Sequence, residues 1–163
     1  MIAILKGVFM KEADNTWIEN AKAAIISSSD TSSVYIGADS KRYKKRGQWY
    51  AKFSTVIVVH KDSRHGCKIF HNSVDLLDYG NLKQRLLTEV QYAIAAAFEV
   101  VDIIGDRGLE IHLDINPNPK HKSSVAVKEA LGWVKGSLGI DAMIKPNSWA
   151  ATHCADHTVR HFN

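Results

Sequence analysis

The stretch VYIGADS, residues 34–40, decides the fold because it is a short β-type run that ends in an acidic side chain. Val34 and Ile36 fall on one face of the predicted strand and Tyr35 on the other. The basic turn SKRYKKRGQ leads from it into a long strand, WYAKFSTVIVVHK, and a turn around KDSRHG precedes a third strand, CKIFHNSV. Three consecutive strands joined by turns predict an antiparallel meander.

A long helix is predicted after the meander, with Asn81 as its N-cap and Gly105 just beyond its end. The apolar side chains that repeat on one face of this helix are Leu82, Leu86, Val90, Ala93, Ala97, Val101 and Ile104. An amphipathic stripe of this kind indicates that the helix packs on the sheet.

The rest of the chain alternates between strand and helix. LEIHLDI (residues 109–115) is a fourth strand that stops at NPNP, and SSVAVKEALGWVKGSLG is a helix capped by Ser123 or Ser124. DAMIKP is a fifth strand, and a last helix begins near Asn147 or Ser148 and runs through WAATHCADHTVRH. The order β-β-β-α-β-α-β-α predicts an α/β fold with a mixed five-stranded sheet flanked by helices.

The length of 163 residues suits one domain. Residues 1–30 are interpreted as an N-terminal helical appendage on a core of residues 34–163, and MIAILKGVFMKEAD as folded structure, not a signal peptide. The net charge of +4 permits a polyanionic partner without demanding one. Two cysteines, Cys67 and Cys154, favour a reducing cytoplasm, and no run is long enough to span a membrane.

Four acidic residues stand where the pattern predicts buried or sheet-edge positions. Asp39 ends the first strand, Asp114 ends the fourth, Glu89 borders the helix stripe, and Asp156 lies among small residues of the last helix. Buried carboxylates are costly unless they are paired, protonated or bound to a cation. The predicted topology makes the first and fourth strands neighbours, so Asp39 and Asp114 meet at one edge with Glu89 above them.

All-oxygen ligands of this kind suit Mg²⁺ or Mn²⁺. Two such ions about 3.5–4 Å apart can activate water and stabilise the leaving oxygen in phosphodiester cleavage. The carboxylates therefore predict a two-metal site. A turn-capping Asp39, a solvent-reaching Glu89, an Asx turn at Asp114 and an exposed Asp156 are the structural alternatives.

The order of elements and the placement of these acids resemble the ribonuclease H-like superfamily. Within it, four stretches resemble the YkuK-type family of bacterial and phage proteins: IGADS, HLDINPNPKHKS, VKEALGWVKG and IKPNSWAATHCAD. The resemblance covers the chain from about Val34 onward. It implies a catalytic metal site of Asp39, Glu89, Asp114 and Asp156, hydrolysis by metal-bound water, and a nucleic-acid substrate.

Two departures narrow the resemblance. Ribonuclease H enzymes proper have Asp-Gly on the first strand, whereas this chain has Asp39-Ser40, which weakens any expectation of hybrid specificity. The Asp-x-Glu pair of proofreading exonucleases is absent, because Ser40 and Lys41 follow Asp39.

Basic residues near the predicted site are candidates for phosphate contact: Lys41, Arg42, Lys44, Lys45, Arg46, Lys120 and Lys122. Tyr43 and Trp49 either stack on bases or pack on their own hairpin. Auxiliary roles are conceivable for Asn116, His153 and His157, against turn formation by Asn116 with Asn118 and a plain polar helix face. Structural zinc on His153, His157, His161 and Cys154 is a weaker alternative, because no further closely spaced ligands accompany them.

The sequence therefore predicts a cytoplasmic, metal-dependent nuclease. Two rivals stay open: a non-catalytic nucleic-acid-binding module on the same fold, and a phosphotransfer or regulatory protein with a small anionic ligand.

Overall fold

The computed structural model describes residues 15–150 of the chain. The helices are α1 (Thr16–Ile26), α2 (Leu82–Val100) and α3 (Val127–Leu138), and the strands are β1 (Ser33–Lys45), β2 (Gln48–His60), β3 (Cys67–Leu77) and β4 (Gly108–Leu113). Short 3₁₀ turns lie at Lys61–Ser63, Val101–Ile103 and Lys122–Ala126. Within this part of the chain no helix is both long and apolar enough to cross a membrane.

The sheet has the strand order β3-β2-β1-β4. The first three strands form the predicted antiparallel meander, and β4 joins β1 in parallel. Ile36 of β1 pairs with Ile57 of β2 and with Ile111 of β4, so large apolar side chains line up across one face of the sheet. The prediction of a mixed sheet with β1 between β2 and β4 is confirmed.

One face of the sheet carries the main core. Side chains of β1, β2 and β4 on this face are buried in one cluster with those of the three helices, among them Trp17 and Ile25 of α1 and Leu86 and Val90 of α2. Helix α1 therefore shares the core of the sheet, although it belongs to the segment interpreted as an appendage. The division at residue 30 stays a prediction.

Helix α2 begins as predicted, because Asn81 Oδ1 accepts a hydrogen bond from the Gln84 N–H at 3.0 Å. The helix ends earlier than predicted, at Val100, and a 3₁₀ turn follows it. That change in helical period moves Val101 off the apolar stripe, so its side chain is 40% exposed. Gly105 adopts a left-handed backbone with φ of +59°, which glycine tolerates.

The prediction of a fifth strand at DAMIKP is not confirmed, since the sheet in the described residues has four strands. Only a single parallel bridge, between His112 and Met143, represents the fifth strand within residues 15–150. Three backbone hydrogen bonds of 2.7 to 3.0 Å still tie residues 143–145 to residues 111–115. The next N–H on that side, that of Asn147, instead donates to the Ile144 carbonyl at 2.9 Å in a turn, and this turn ends the pairing.

The predicted cap of α3 is also different. The helix begins at Val127, after the 3₁₀ turn, and its N-terminal residue Ala126 offers no side-chain cap. The Ser123 hydroxyl instead accepts a hydrogen bond from the Asn116 N–H at 3.0 Å. Ser123 therefore secures the NPNP loop after β4, not the helix.

The opposite face of the sheet bears an aromatic cluster. The rings of Tyr35 and Trp149 lie 4.7 Å apart between centroids, and the fully buried His112 lies 5.4 Å from each. His112 Nδ1 accepts a hydrogen bond from the Ala150 N–H at 3.1 Å, so Nε2 carries the hydrogen and donates it to Glu110 at 2.9 Å. This contact holds the backbone at the last described residue.

A buried ion pair connects the end of the meander to β1 and α2. The Asp78 carboxylate is buried, and it accepts hydrogen bonds from Arg42 Nε and, at 2.9 Å, from the Gly80 N–H, while Arg85 lies 3.5 Å away. Burial alone raises the pKa of Asp78, but the Gly80 N–H and the two guanidinium groups outweigh it and hold that pKa below its usual range.

Asp78→Asn is expected to destabilise the protein by about 1.5–3 kcal/mol at pH 7, the usual contribution of hydrogen bonds to charged groups. A depressed pKa stabilises the fold above the unfolded-state pKa of about 3.9, and that contribution is lost as the pH falls through the lower folded-state value. The difference between the two proteins in urea denaturation should therefore shrink below about pH 4. Asp75→Asn is the matched control, because Asp75 is exposed and the asparagine that replaces it can still accept the hydrogen bond from the Tyr43 hydroxyl. Equal losses in both variants would contradict the assignment.

Candidate active site

The parallel pairing of β1 with β4 positions two of the predicted site residues. The last pair in that ladder is Ala38 with Leu113, and Asp39 and Asp114 follow directly on the two adjacent strands. Side chains alternate along a strand, so both aspartates lie on the face that carries Tyr35 and His112. The two carboxylates therefore share one end of the sheet.

Strand β4 stops at Leu113 while β1 continues to Lys45, so β4 leaves residues 39–45 of β1 uncovered. Glu89 of α2 reaches this gap: its carboxylate accepts a hydrogen bond from the Ser40 hydroxyl at 2.6 Å. The Ser40 N–H in turn donates to Asp39 Oδ1 at 2.8 Å. Ser40 thus bonds to both acids, with its hydroxyl on one and its backbone on the other.

The electrostatics of Glu89 reflect this crowding. Its side chain is buried, and burial raises its pKa well above the usual value. The negative charges of Asp39 and Asp114 raise the pKa further, while the Ser40 hydrogen bond and the positive charge of Arg85 lower it. The three acids are therefore near enough to interact, and their repulsion favours a proton or a cation among them.

Lys145 is a site residue that the sequence reasoning missed. Its Nζ lies 2.7 Å from Asp114 Oδ1, and its backbone N–H donates to the Ile115 carbonyl at 3.0 Å. Ser40 is a second residue that was overlooked, since it was noted only as a departure from Asp-Gly. The signals were present in the motifs themselves, because Lys145 opens KPNSWAA and Ser40 ends IGADS.

The donor chemistry of these acids suits a divalent cation. In residues 15–150, no three His, Cys, Asp or Glu side chains form a ready-made metal cluster. The donors that do converge are carboxylates, whose oxygens Mg²⁺ and Mn²⁺ prefer, and they repel one another without a cation. Asp39, Glu89 and Asp114 carry the kind of oxygen donor that such an ion prefers, and they are the described residues that could hold one.

Asp156, the fourth predicted acid, lies outside the described residues, and so do His153 and His157. The zinc alternative, which adds Cys154 and His161, lies there too. All of these roles stay predictions. The other cysteine, Cys67, is an exposed free thiol on β3.

The basic residues of the β1–β2 hairpin divide into two groups. Arg42 is engaged in the ion pair with Asp78, and its guanidinium carbon also lies 4.6 Å from the centroid of the Trp49 ring. The other members, Lys41, Lys44, Lys45 and Arg46, are exposed, as Arg42 is, but have no ion pair with a described residue like that of Arg42 with Asp78. The Tyr43 ring stacks on that of Tyr50 with the centroids 5.6 Å apart, and its hydroxyl donates to Asp75. Tyr43 therefore packs against the sheet. Trp49, in contrast, is 41% exposed, so part of its ring is open to solvent.

The loop after Asp114 is held by its own side chains. Asn116 Oδ1 accepts from the Asn118 N–H at 2.9 Å, and Asn118 Oδ1 accepts from the Lys120 N–H at 3.0 Å. These consecutive Asx turns give the asparagines the structural role that was the alternative to orienting a ligand. Lys120 and Lys122 are exposed on this loop.

The domain is of the α/β class: its sheet has three antiparallel strands and one parallel strand, and two aspartates lie at the end of the parallel pair. The family model for Ribonuclease H-like proteins matches residues 17–160. The chain belongs to the ribonuclease H-like family. Comparisons with curated proteins and with solved structures gave no match. The narrower YkuK-type assignment stays a prediction.

Glu89→Gln is expected to stabilise the metal-free protein at neutral pH, because the neutral amide avoids the cost of a buried negative charge beside Asp39 and Asp114. Because the pKa of Glu89 is raised in the folded state, its contribution to the free energy of unfolding is fully present below the unfolded-state pKa of about 4.3. That contribution is lost as the pH rises through the folded-state pKa. The gain should therefore grow with pH between about 4 and 8 in thermal unfolding with EDTA.

Glu99→Gln is the control for this measurement, because Glu99 lies on the same helix and pairs with Lys22 at 3.0 Å. It should give no pH-dependent gain. A Glu89→Gln protein that is less stable than wild type at pH 8 would show that the carboxylate is held favourably, contrary to the electrostatics described above.

Proposed function

We propose that this protein is a divalent-metal-dependent nuclease that hydrolyses phosphodiester bonds in nucleic acid. The observation that carries the proposal is the convergence of Glu89, Asp39 and Asp114 in a member of the ribonuclease H-like family. A buried carboxylate whose pKa is raised by two others is costly to a fold, so a site of this kind is expected to serve chemistry.

The proposed ligands are Asp39, Glu89 and Asp114, with Asp156 as the fourth. When bound, Mg²⁺ or Mn²⁺ would supply an activated water and neutralise charge on the scissile phosphate. The chain's own contribution is to hold the carboxylates in place: Ser40 orients Glu89, and the β1–β4 register keeps Asp39 beside Asp114. The exposed basic residues of the hairpin and of the 120–122 loop are proposed to contact backbone phosphates, which gives affinity without sequence specificity.

The second candidate is a non-catalytic nucleic-acid-binding module. The ammonium of Lys145 on Asp114 favours it, since an acid with a resident cation needs no metal to be neutralised. The two functions differ in one respect, because only the nuclease needs a metal ion to act on its substrate.

The decisive test is a cleavage panel with labelled single-stranded and double-stranded DNA, RNA, RNA–DNA hybrid and four-way junction. Wild-type protein should cleave at least one substrate with Mg²⁺ or Mn²⁺ and none with EDTA. Asp39→Asn should lower the rate by about 100-fold or more, because it removes a charge that only the metal-bound state requires. The exposed Asp102→Asn is the matched control and should keep full activity. Binding without cleavage of any substrate, in every metal, would favour the module.

The hairpin can be tested separately from the chemistry. A triple variant of Lys44, Lys45 and Arg46 to Ala should weaken binding to all sequences alike, in fluorescence anisotropy with salt titration. The slope of log K against log salt should fall by about 0.7 to 0.9 for each phosphate that the hairpin no longer neutralises. Lys128→Ala, an exposed lysine on α3, should leave the slope unchanged. An unaltered slope in the triple variant would make the hairpin tip a merely solvated turn.

A further inference from the structure

The Lys145–Asp114 pair bears on how many metal ions the proposed nuclease site takes. The ammonium nitrogen lies 2.7 Å from Asp114 Oδ1, so the two side chains form a close ion pair. A Mg²⁺ ion binds carboxylate oxygen at about 2.0–2.1 Å. A metal ion bound to the same oxygen would be repelled by the positive charge of the Lys145 ammonium. The ammonium therefore competes with a metal ion for Asp114.

The backbone of Lys145 is held beside the end of β4, so its side chain starts from a fixed point next to Asp114. Residues 143–145 run beside the end of β4: Met143 N–H donates to the Ile111 carbonyl at 2.7 Å and Lys145 N–H to the Ile115 carbonyl at 3.0 Å. These two bonds lie on either side of the strand end that carries Asp114. The lysine side chain is 35% exposed, so its head group is open to a ligand on the solvent side.

The described acids separate into two groups by the contacts that join them. Asp39 and Glu89 are joined through Ser40, and one divalent ion would neutralise both. Asp114 already has its own cation in Lys145. A second divalent ion would add two positive charges at a carboxylate that is already paired, which like-charge repulsion opposes.

We propose that Lys145 stands in for the second metal ion: the site takes a single divalent cation, on Asp39 and Glu89, while the ammonium of Lys145 stays on Asp114 and faces the scissile phosphate. This inference rests on the proposed function. It replaces the two-ion expectation from the sequence, and it makes Asp114 the partner of Lys145 in place of a ligand of the ion. Lysine serves as a point charge for phosphate, so the second positive charge is supplied by the chain itself.

The test counts manganese ions. Wild-type protein, Lys145→Met and Lys145→Arg are titrated with Mn²⁺ by isothermal titration calorimetry, and the loaded proteins are examined by electron paramagnetic resonance. Wild type and Lys145→Arg should each bind one Mn²⁺ with an uncoupled six-line spectrum. Lys145→Met keeps the aliphatic stem and loses the charge, so it should bind two Mn²⁺ with the magnetic coupling expected of ions about 4 Å apart.

Lys135→Met is the matched control. Lys135 also forms an ion pair, with its Nζ 3.2 Å from Asp141 Oδ2, but that pair lies outside the site. It should bind one Mn²⁺, as wild type does. Circular dichroism establishes that each variant is folded, and Lys145→Gln replaces Lys145→Met if the latter is not.

The outcomes separate the two proposals. Two coupled Mn²⁺ ions in wild type would overturn the inference and leave the metal-dependent nuclease intact. One Mn²⁺ in both wild type and the charge-neutral Lys145 variant would also overturn it, because the ammonium would not be what excludes the second ion. No Mn²⁺ binding by wild type would instead remove the proposed function on which the inference rests.

Discussion

The parallel pairing of β1 with β4 is the constraint on which the rest of the structure depends. Its register ends with Ala38 opposite Leu113, and the next residue on each strand is an aspartate. A slip of one residue would move every side chain of one strand to the other face, so the buried Val34, Ile36 and Ile111 lock the register by their packing. The same core packing that stabilises the sheet therefore keeps Asp39 and Asp114 on one face.

The unequal lengths of these two strands create the space for everything else in the site. Because β4 ends at Leu113, the β1 backbone beyond Ala38 has an open side, and Glu89 reaches it from α2 to meet Ser40. Residues 143–145 approach the same strand end from the other side of β4 and bring Lys145 to Asp114. A longer β4 would cover the stretch of β1 that Glu89 now reaches, so the point at which β4 ends also determines where this contact lies.

The meander, the long helix with its Asn81 cap, and the adjacency of β1 and β4 could be predicted because each rests on local periodicity or on a connection rule. The missed features depend on contacts between distant segments. Nothing near Ser123 reveals that its hydroxyl bonds to Asn116. The motif KPNSWAA draws attention to Lys145, but it does not identify Asp114 as the partner of that lysine. The fifth strand was overpredicted for a similar reason. An apolar run such as DAMI shows that a segment can pair, but the turn in which the Asn147 N–H bonds to the Ile144 carbonyl decides how far it does.

The position of each cation shows how the fold tolerates its concentrated negative charge. Arg85 lies one helical turn before Glu89, near Asp78, and its positive charge lowers the pKa of Glu89. Lys145 bonds to Asp114 directly, whereas Ser40 offers Glu89 a neutral hydroxyl. Asp114 is thus neutralised within the fold, while the buried Glu89 keeps a raised pKa beside Asp39. The raised pKa of the buried Glu89 makes this side of the site the costlier place for a negative charge, and strongly perturbed groups of this kind are candidates for function.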